Sequence, residues 1–163
     1  MQTESGAMRA LTLRLEDEIF AIEAGSVREI LDLVPITEVP NAPAFVGGLI
    51  NVRGRVVPLA DLRVMFDMER PPPDEDTRIV VVEIDIDGEP TVAGILADKV
   101  HDVTDIDAAA IQDAPRVGMR WRPEFVRAIG RRNGDFVVIP NLERIFETQG
   151  RRSASPAEER AAS

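Results

Sequence analysis

His101 is the chain's only imidazole and lies in Lys99-Val-His-Asp-Val103. A general base or metal ligand needs convergent partners. Alternation here turns Val100 and Val103 toward a core and leaves His101 as an exposed polar position. There is no cysteine, which removes thiolate nucleophiles, thiolate metal sites and disulfides. A zinc site would then rest on carboxylates almost alone, an unusual donor set.

Three acidic clusters could supply paired carboxylates for hydrolysis: Glu16-Asp17-Glu18, Asp74-Glu75-Asp76, and Asp102 through Asp107. The first two sit in turn and loop contexts. The third alternates with Val103 and Ile106, as an outward strand face does. Asp85-Ile-Asp87-Gly88 lacks the third acid and the distant Glu of a calcium loop, so it reads as a hairpin turn. Gly47-Gly48 lacks the Gly-Lys-Ser/Thr ending of a phosphate loop. Trp121, between Arg120 and Arg122, suggests base stacking, but one Trp in an acidic chain fits a packing contact better. No reaction is visible, and the pattern points to an interaction module.

The elements that would position these residues are mostly strands. Ala10 to Leu15 alternates apolar and polar residues, and Glu18 to Ile22 is its candidate partner across Glu16-Asp17. Gly47–Val52 and Arg55–Leu59 flank the tight turn Arg53-Gly54. Ile79 to Ile86 runs into Asp87-Gly88, a two-residue hairpin signal, and Thr91–Leu96 returns. Val126–Ile129 and Phe136–Ile139 flank Asn133-Gly134. Helices read as short. Ser26 caps a turn to Leu31 with Val27, Ile30 and Leu31 on one face. Ala60–Phe66 turns Leu62, Met65 and Phe66 inward beside polar Asp61 and Arg63. Asn141–Glu147 repeats this with Leu142, Ile145 and Phe146, and another short helix begins at Asp107 or Ala108.

An internal repeat underlies these elements. An offset of 80 carries Gly54, Val57, Leu62 and Phe66 onto Gly134, Val137, Leu142 and Phe146, and Phe45-Val46 onto Phe125-Val126. An offset of 73 carries Ile22, Val27 and Ile30 onto Ile95, Val100 and Val103. The change implies a seven-residue insertion near Val117–Pro123. Two copies of one β-rich unit follow, each too small to bury much surface alone. They would pack together and leave a groove between them.

The chain has 163 residues, 44% hydrophobic and 29% charged, which suits one compact domain or two closely packed halves. Aromatic residues are 4%, so Val, Ile, Leu and Ala must build the core. A net charge of −10 opposes nucleic acid and anionic membranes. No apolar stretch is long enough to span a membrane and no signal peptide is visible, so the expected location is cytoplasmic. The expected organisation is a flexible lead-in over 1–9 and a folded domain over 10–148. Two subdomains divide near the Pro/acidic loop 69–76, and a disordered tail follows over 149–163.

The stretch Pro43-Ala-Phe-Val-Gly-Gly-Leu-Ile-Asn-Val-Arg-Gly-Arg-Val-Val-Pro-Leu-Ala-Asp-Leu-Arg63 closely resembles the CheW family pattern, Pro-Ala-Phe-x-x-Gly followed by Asn-x-Arg-Gly-x-x-x-Pro-x-x-Asp-Leu-Arg. Phe20-Ala-Ile, Val27-Arg-Glu-Ile30, Ala93-Gly-Ile-Leu-Ala-Asp98, Val100-His-Asp-Val103 and Asn141-Leu-Glu143 extend the likeness over roughly residues 10–147. The resemblance implies an all-β fold of two SH3-like five-stranded β-barrels side by side, with a few short helices. It implies a non-enzymatic scaffold with no cofactor and no metal. The scaffold would couple the cytoplasmic tips of methyl-accepting chemotaxis receptors to the regulatory domain of the histidine kinase CheA, recruited to membrane-bound arrays.

Matching the motif residue by residue, the resemblance implies receptor contacts at Val27, Glu29, Gly48, Arg53, Val100 and Val103, and it assigns no kinase-binding residues. A helical hairpin with an apolar stripe would lie against the valines. Glu29 and Arg53 would pair across the groove wall, and Gly48 would allow close approach. The excess around Trp121 and the basic-then-acidic tail are not part of the family pattern. Two alternatives stand beside this reading. The domain could belong to a larger regulator, which the short tail opposes. It could instead be an acidic small-molecule-binding or hydrolytic β-barrel, which needs carboxylates the pattern places on turns.

Overall fold

The structure is a computed structural model that describes residues 7–41, 45–113, 122–132 and 134–148. Among the described residues ten strands run in chain order: β1 Met8–Leu15, β2 Glu18–Glu23, β3 Val27–Asp32, β4 Val46–Val52, β5 Arg55–Ala60, β6 Arg78–Ile86, β7 Glu89–Ala97, β8 Lys99–Ile106, β9 Val126–Arg132 and β10 Asp135–Pro140. Helix α1, Leu62–Met65, follows β5. Helix α2, residues 142–148, follows β10. The strands form two five-stranded sheets, ordered β8-β1-β2-β10-β9 and β3-β6-β7-β5-β4. β1 begins two residues earlier than expected, with Met8 paired to Ile106.

The repeat is present in the element order, since β1–β5 with α1 correspond to β6–β10 with α2. The sheets, however, are not the repeats. Each contains the leading hairpin of one repeat and the last three strands of the other. The expected subdomain division at 69–76 is therefore corrected. That loop joins the two repeats, but it starts and ends on strands of one sheet, β5 and β6. The chain crosses between sheets at Ala24–Ser26 and at Asp98. One residue between β7 and β8 is too short for a hairpin, which needs about two, so β8 continues into the other sheet.

Each sheet is closed by an equivalent bridge. Thr37 exchanges backbone hydrogen bonds with Leu49 at 2.9 and 2.8 Å, and Gln112 does so with Ile129 at 2.8 Å each. Three cores result. One fills the barrel of β3–β7 with Ile50, Val57, Leu59, Ile79 and Leu96. One fills the other barrel with Ala10, Ala21, Ile106, Val137 and Ile139. The largest lies between the sheets and takes Leu11, Leu13, Phe20, Val80, Val82 and Ile95. β6 reads as an unbroken Ile-Val-Val-Val run because both its faces are buried, Ile79 and Val81 into a barrel, Val80 and Val82 between sheets. The helices plug the central core with Leu62, Phe66, Leu142 and Ile145.

The turns follow their residues. At Arg53-Gly54 φ is 52° and 84°, and at Asp87-Gly88 it is 53° and 84°, the doubly positive geometry of a tight hairpin. The helix expected from Ser26 to Leu31 is a strand. Its side chains alternate half-buried and exposed along β3, and β6 supplies the ladder. Asn133, Pro43, Trp121, the implied insertion and the tail lie outside the described residues, apart from Arg122 and Pro123 at the insertion's end.

Candidate interaction surface

The edge strand β3 and the β4–β5 hairpin meet at one end of their barrel. There the Arg53 guanidinium donates through Nη2 to Glu29 Oε1 at 3.1 Å and through Nε to Oε2 at 3.2 Å. The fork-on-carboxylate geometry is the specific one for arginine. Hydrogen bonding from Arg53, reinforced by its charge, holds the Glu29 carboxyl below its ordinary value. The same bond raises Arg53 further. The turn orients the guanidinium, and Asn51 Oδ1 accepts the Gly54 N–H at 2.8 Å. The pair borders a cavity of about 240 Å³ whose walls include Val52, Val57, Val81 and Val92. On the same strands, Ile30 of β3 is 44% and Val56 of β5 70% exposed.

The second barrel has a similar ion pair at this end, although the offset of 80 takes Arg53 to Asn133 and Arg132 matches Val52. The offset of 73 takes Glu29 to Asp102 and Ile30 to Val103, and the offset of 80 takes Val56 to Phe136. Arg132 donates through Nη2 to both Asp102 carboxylate oxygens at 3.1 Å. Val103 and Phe136 are 48% and 64% exposed, and the Arg131 guanidinium lies 5.0 Å from the Phe136 ring centroid. His101 is exposed and lines the equivalent cavity with Ile19, Arg132, Asp135 and Val137.

The six residues singled out from sequence thus divide. Glu29 and Arg53 meet as expected. Val27 and Val100 are repeat-equivalent, half-buried and packed on the central core, one in each sheet. Val103, expected near the core, is corrected to an exposed position, because Ile106 takes the inward place in β8. Gly48 is buried. A Cβ there would lie 2.5 Å from Ile36 Cγ2 and 2.6 Å from the Thr37 carbonyl oxygen. Its missing side chain accommodates the chain's own closing segment.

Sequence reasoning missed Ile30, Val56 and Phe136 as surface residues, although the repeat offsets pair them. It also gave Arg63 no role beyond a polar neighbour of the inward Leu62, whereas Arg63 is 4% exposed. Arg63 forks onto Asp61 at 2.9 Å twice and reaches Asp98 at 2.8 Å. Burial disfavours its charge, but the hydrogen bond to Asp61 and the fields of Asp61, Asp98 and Glu16 outweigh that and raise it. Two further carboxylates, Asp98 outside the expected clusters and Asp74 within one, hold backbone turns. Asp98 Oδ2 accepts the Glu16 N–H at 2.7 Å, and Asp74 Oδ1 accepts the Asp76 N–H at 2.8 Å. Among the described residues no group of three or more His, Cys, Asp or Glu could hold a metal ion, and no helix is long and apolar enough to cross a membrane.

A family profile described as the CheW-like domain matches residues 9–150. The chain belongs to the CheW-like domain family. This CheW-like chain is 29% identical over 150 residues to the chemotaxis protein CheW of Rhizobium meliloti, covering 92% of this chain and 94% of the relative. It is 30% identical over 141 residues to a probable chemotaxis protein CheW of Rhizobium etli, covering 86% and 88%. The crystal structure of the scaffolding protein TtCheW from Thermoanaerobacter tengcongensis superposes with a TM-score of 0.77 at 31% identity, over 86% of this chain and 93% of that one. The two-barrel, SH3-like architecture is that of CheW; the solved neighbour is named a scaffolding protein and the two Rhizobium relatives are named chemotaxis proteins.

Proposed function

We propose that this chain is a non-enzymatic adaptor that couples methyl-accepting chemotaxis receptors to the histidine kinase CheA, and that it is recruited from the cytoplasm to receptor arrays in doing so. The observation that carries the reading is the Glu29–Arg53 fork at a barrel end, borne by an edge strand and a hairpin that also expose Ile30 and Val56. Exposed apolar side chains on the same elements as an oriented ion pair suit a partner helix with an apolar stripe and a polar flank. Val27, two residues along the same strand, extends that surface toward the central core. A similar set, Asp102, Arg132, Val103 and Phe136, lies on the other sheet. One chain thereby offers two faces, so receptor and kinase can be held at once and their relative geometry fixed.

The test is co-sedimentation with receptor-containing membranes, with and without the kinase. The wild-type chain pellets with the membranes and carries additional kinase with it. Arg53→Glu pellets several-fold less while its thermal midpoint stays nearly unchanged, since exposed ion pairs contribute little to stability. Pelleting undiminished by that reversal removes Arg53 from the receptor face. Collapse of the fold makes Arg53 structural. A wild-type chain that ignores the membranes ends the adaptor reading.

A further inference from the structure

The cavity bordered by the Glu29–Arg53 pair, about 240 Å³, has a counterpart of about 180 Å³ at the end of the second barrel. The correspondence holds residue by residue. Ile19, His101, Arg132, Asp135 and Val137 line the second cavity. The two offsets match them in turn to Val92, Arg28, Val52, Arg55 and Val57, all in the lining of the first. Two small cavities on different sheets are therefore copies of one feature of the repeat.

Their charges have diverged. In the first cavity Arg53 is paired with Glu29 and Arg28 with Glu83, so each carboxylate of the lining already holds a guanidinium. Arg55 is left over. It is exposed and has no ion-pair partner among the described residues. It begins β5 two residues before buried Val57, and so shares the cavity-facing side of that strand. In the second cavity Arg132 is paired with Asp102. The carboxylate left over there, among the described residues, is Asp135, the repeat equivalent of Arg55.

An aliphatic hollow with one unpaired charge at its rim suits two side chains of one partner. An apolar side chain enters against Val52, Val57, Val81 and Val92, and a charge of opposite sign meets the rim. Helix residues three or four apart present such a pair on one face, with Cβ atoms about 5–6 Å apart. We infer that Arg55 selects the partner of the first barrel: a helix with a carboxylate three or four residues from the aliphatic side chain that enters the cavity. The inference rests on the adaptor reading and deepens it. The chain's net charge of −10 repels an acidic helix elsewhere, so a carboxylate accepted at Arg55 sets where along the surface that helix lies. Asp135 rejects the same helix at the second barrel, which keeps the two ends from exchanging partners. A second copy is a poorer occupant. Its Asp135 has the right sign, but that carboxylate lines a hollow of its own, and two hollows do not interdigitate.

Lys99 is the only lysine in the chain, so one side-chain amine can be moved to the site. In full-length Arg55→Lys with Lys99→Arg, a carbodiimide joins the amine at position 55 to whichever carboxylate meets it. With receptor-containing membranes present, mass spectrometry finds that amide on a Glu or Asp of a receptor helix, with an aliphatic residue three or four positions away. Arg55→Glu pellets with the membranes several-fold less than the wild-type chain, Arg55→Lys keeps most of the binding, and the thermal midpoints agree. Undiminished pelleting of Arg55→Glu beside a wild-type chain that pellets overturns the inference and leaves the adaptor reading standing. So does an amide at position 55 that forms only within the chain or to a second copy. A wild-type chain that ignores the membranes removes the adaptor reading itself, and the selection by Arg55 with it.

Discussion

Two glycines with positive φ separate conformational need from packing need. Gly54 has φ 84° and open space, with nothing within 4 Å of where a Cβ would sit, whereas at Gly48, φ 144°, a Cβ would strike Ile36 and the Thr37 backbone. Gly54→Ala meets only the left-handed backbone cost, on the order of 1 kcal/mol. Gly48→Ala meets strain of about 1–3 kcal/mol and must also displace the segment whose Thr37 bridges to Leu49. Chemical denaturation is expected to rank Gly48→Ala as clearly the more damaging. Amide exchange at Thr37 and Leu49 should accelerate in that variant alone. Equal losses at both positions would contradict the closing role of Gly48. The glycine pair was legible in the sequence, but its purpose was not, because the clashing atoms belong to a loop eleven and twelve residues upstream that no local pattern aligns with it.

At the scale of elements, the strands and tight turns were legible wherever period-2 patterning met a Gly-containing turn. β3 was not. Val27, Ile30 and Leu31 have helical spacing, yet Ile30 faces outward at 44% exposure. An apolar residue retained on the surface breaks the pattern that would have revealed the strand, and such violations concentrate at functional surfaces. Arg63 failed to show for a different reason. Its second carboxylate, Asp98, lies thirty-five residues away in sequence. This network ties α1 to the crossing between sheets, and Asp98 also holds the β1–β2 turn through Glu16. Removing one partner of a buried ion network costs about 3–5 kcal/mol, because the remaining charges are left unpaired. Arg63→Met should lose that much in urea denaturation. Arg63→Lys should recover only part, since an ammonium cannot make the three-way fork. Arg78→Met is the comparison: its carboxylate partner Asp32 is 90% exposed and its guanidinium otherwise bonds only the Glu75 and Thr77 carbonyls, so its loss should stay at about 1–2 kcal/mol. Equal effects at Arg63 and Arg78 would show that the network is not what fixes α1.

The whole molecule is a pair of interleaved repeats, and this governs how it comes apart. Every seam between repeats is a strand ladder. β1 pairs β8 and β3 pairs β6 antiparallel, while β2 pairs β10 and β5 pairs β7 in parallel. The sequence offsets equate the repeats but cannot tell whether a hairpin pairs within its own repeat or with the other, since both arrangements satisfy the same patterns. The single-residue link at Asp98 decides it. Loop 69–76 carries no ladder, and residues 69–75 of it are exposed. A protease site placed at Pro71–Pro73 should therefore yield two pieces that elute together and keep one cooperative unfolding transition, parting only in denaturant. Residues 1–70 expressed alone should show no cooperative transition, because both of their sheets lack strands that only the second repeat supplies. Mixing them with residues 71–163 should restore one. Two pieces that separate in native buffer, each melting cooperatively, would mean that each repeat folds as its own barrel, and the exchange of strands would be wrong.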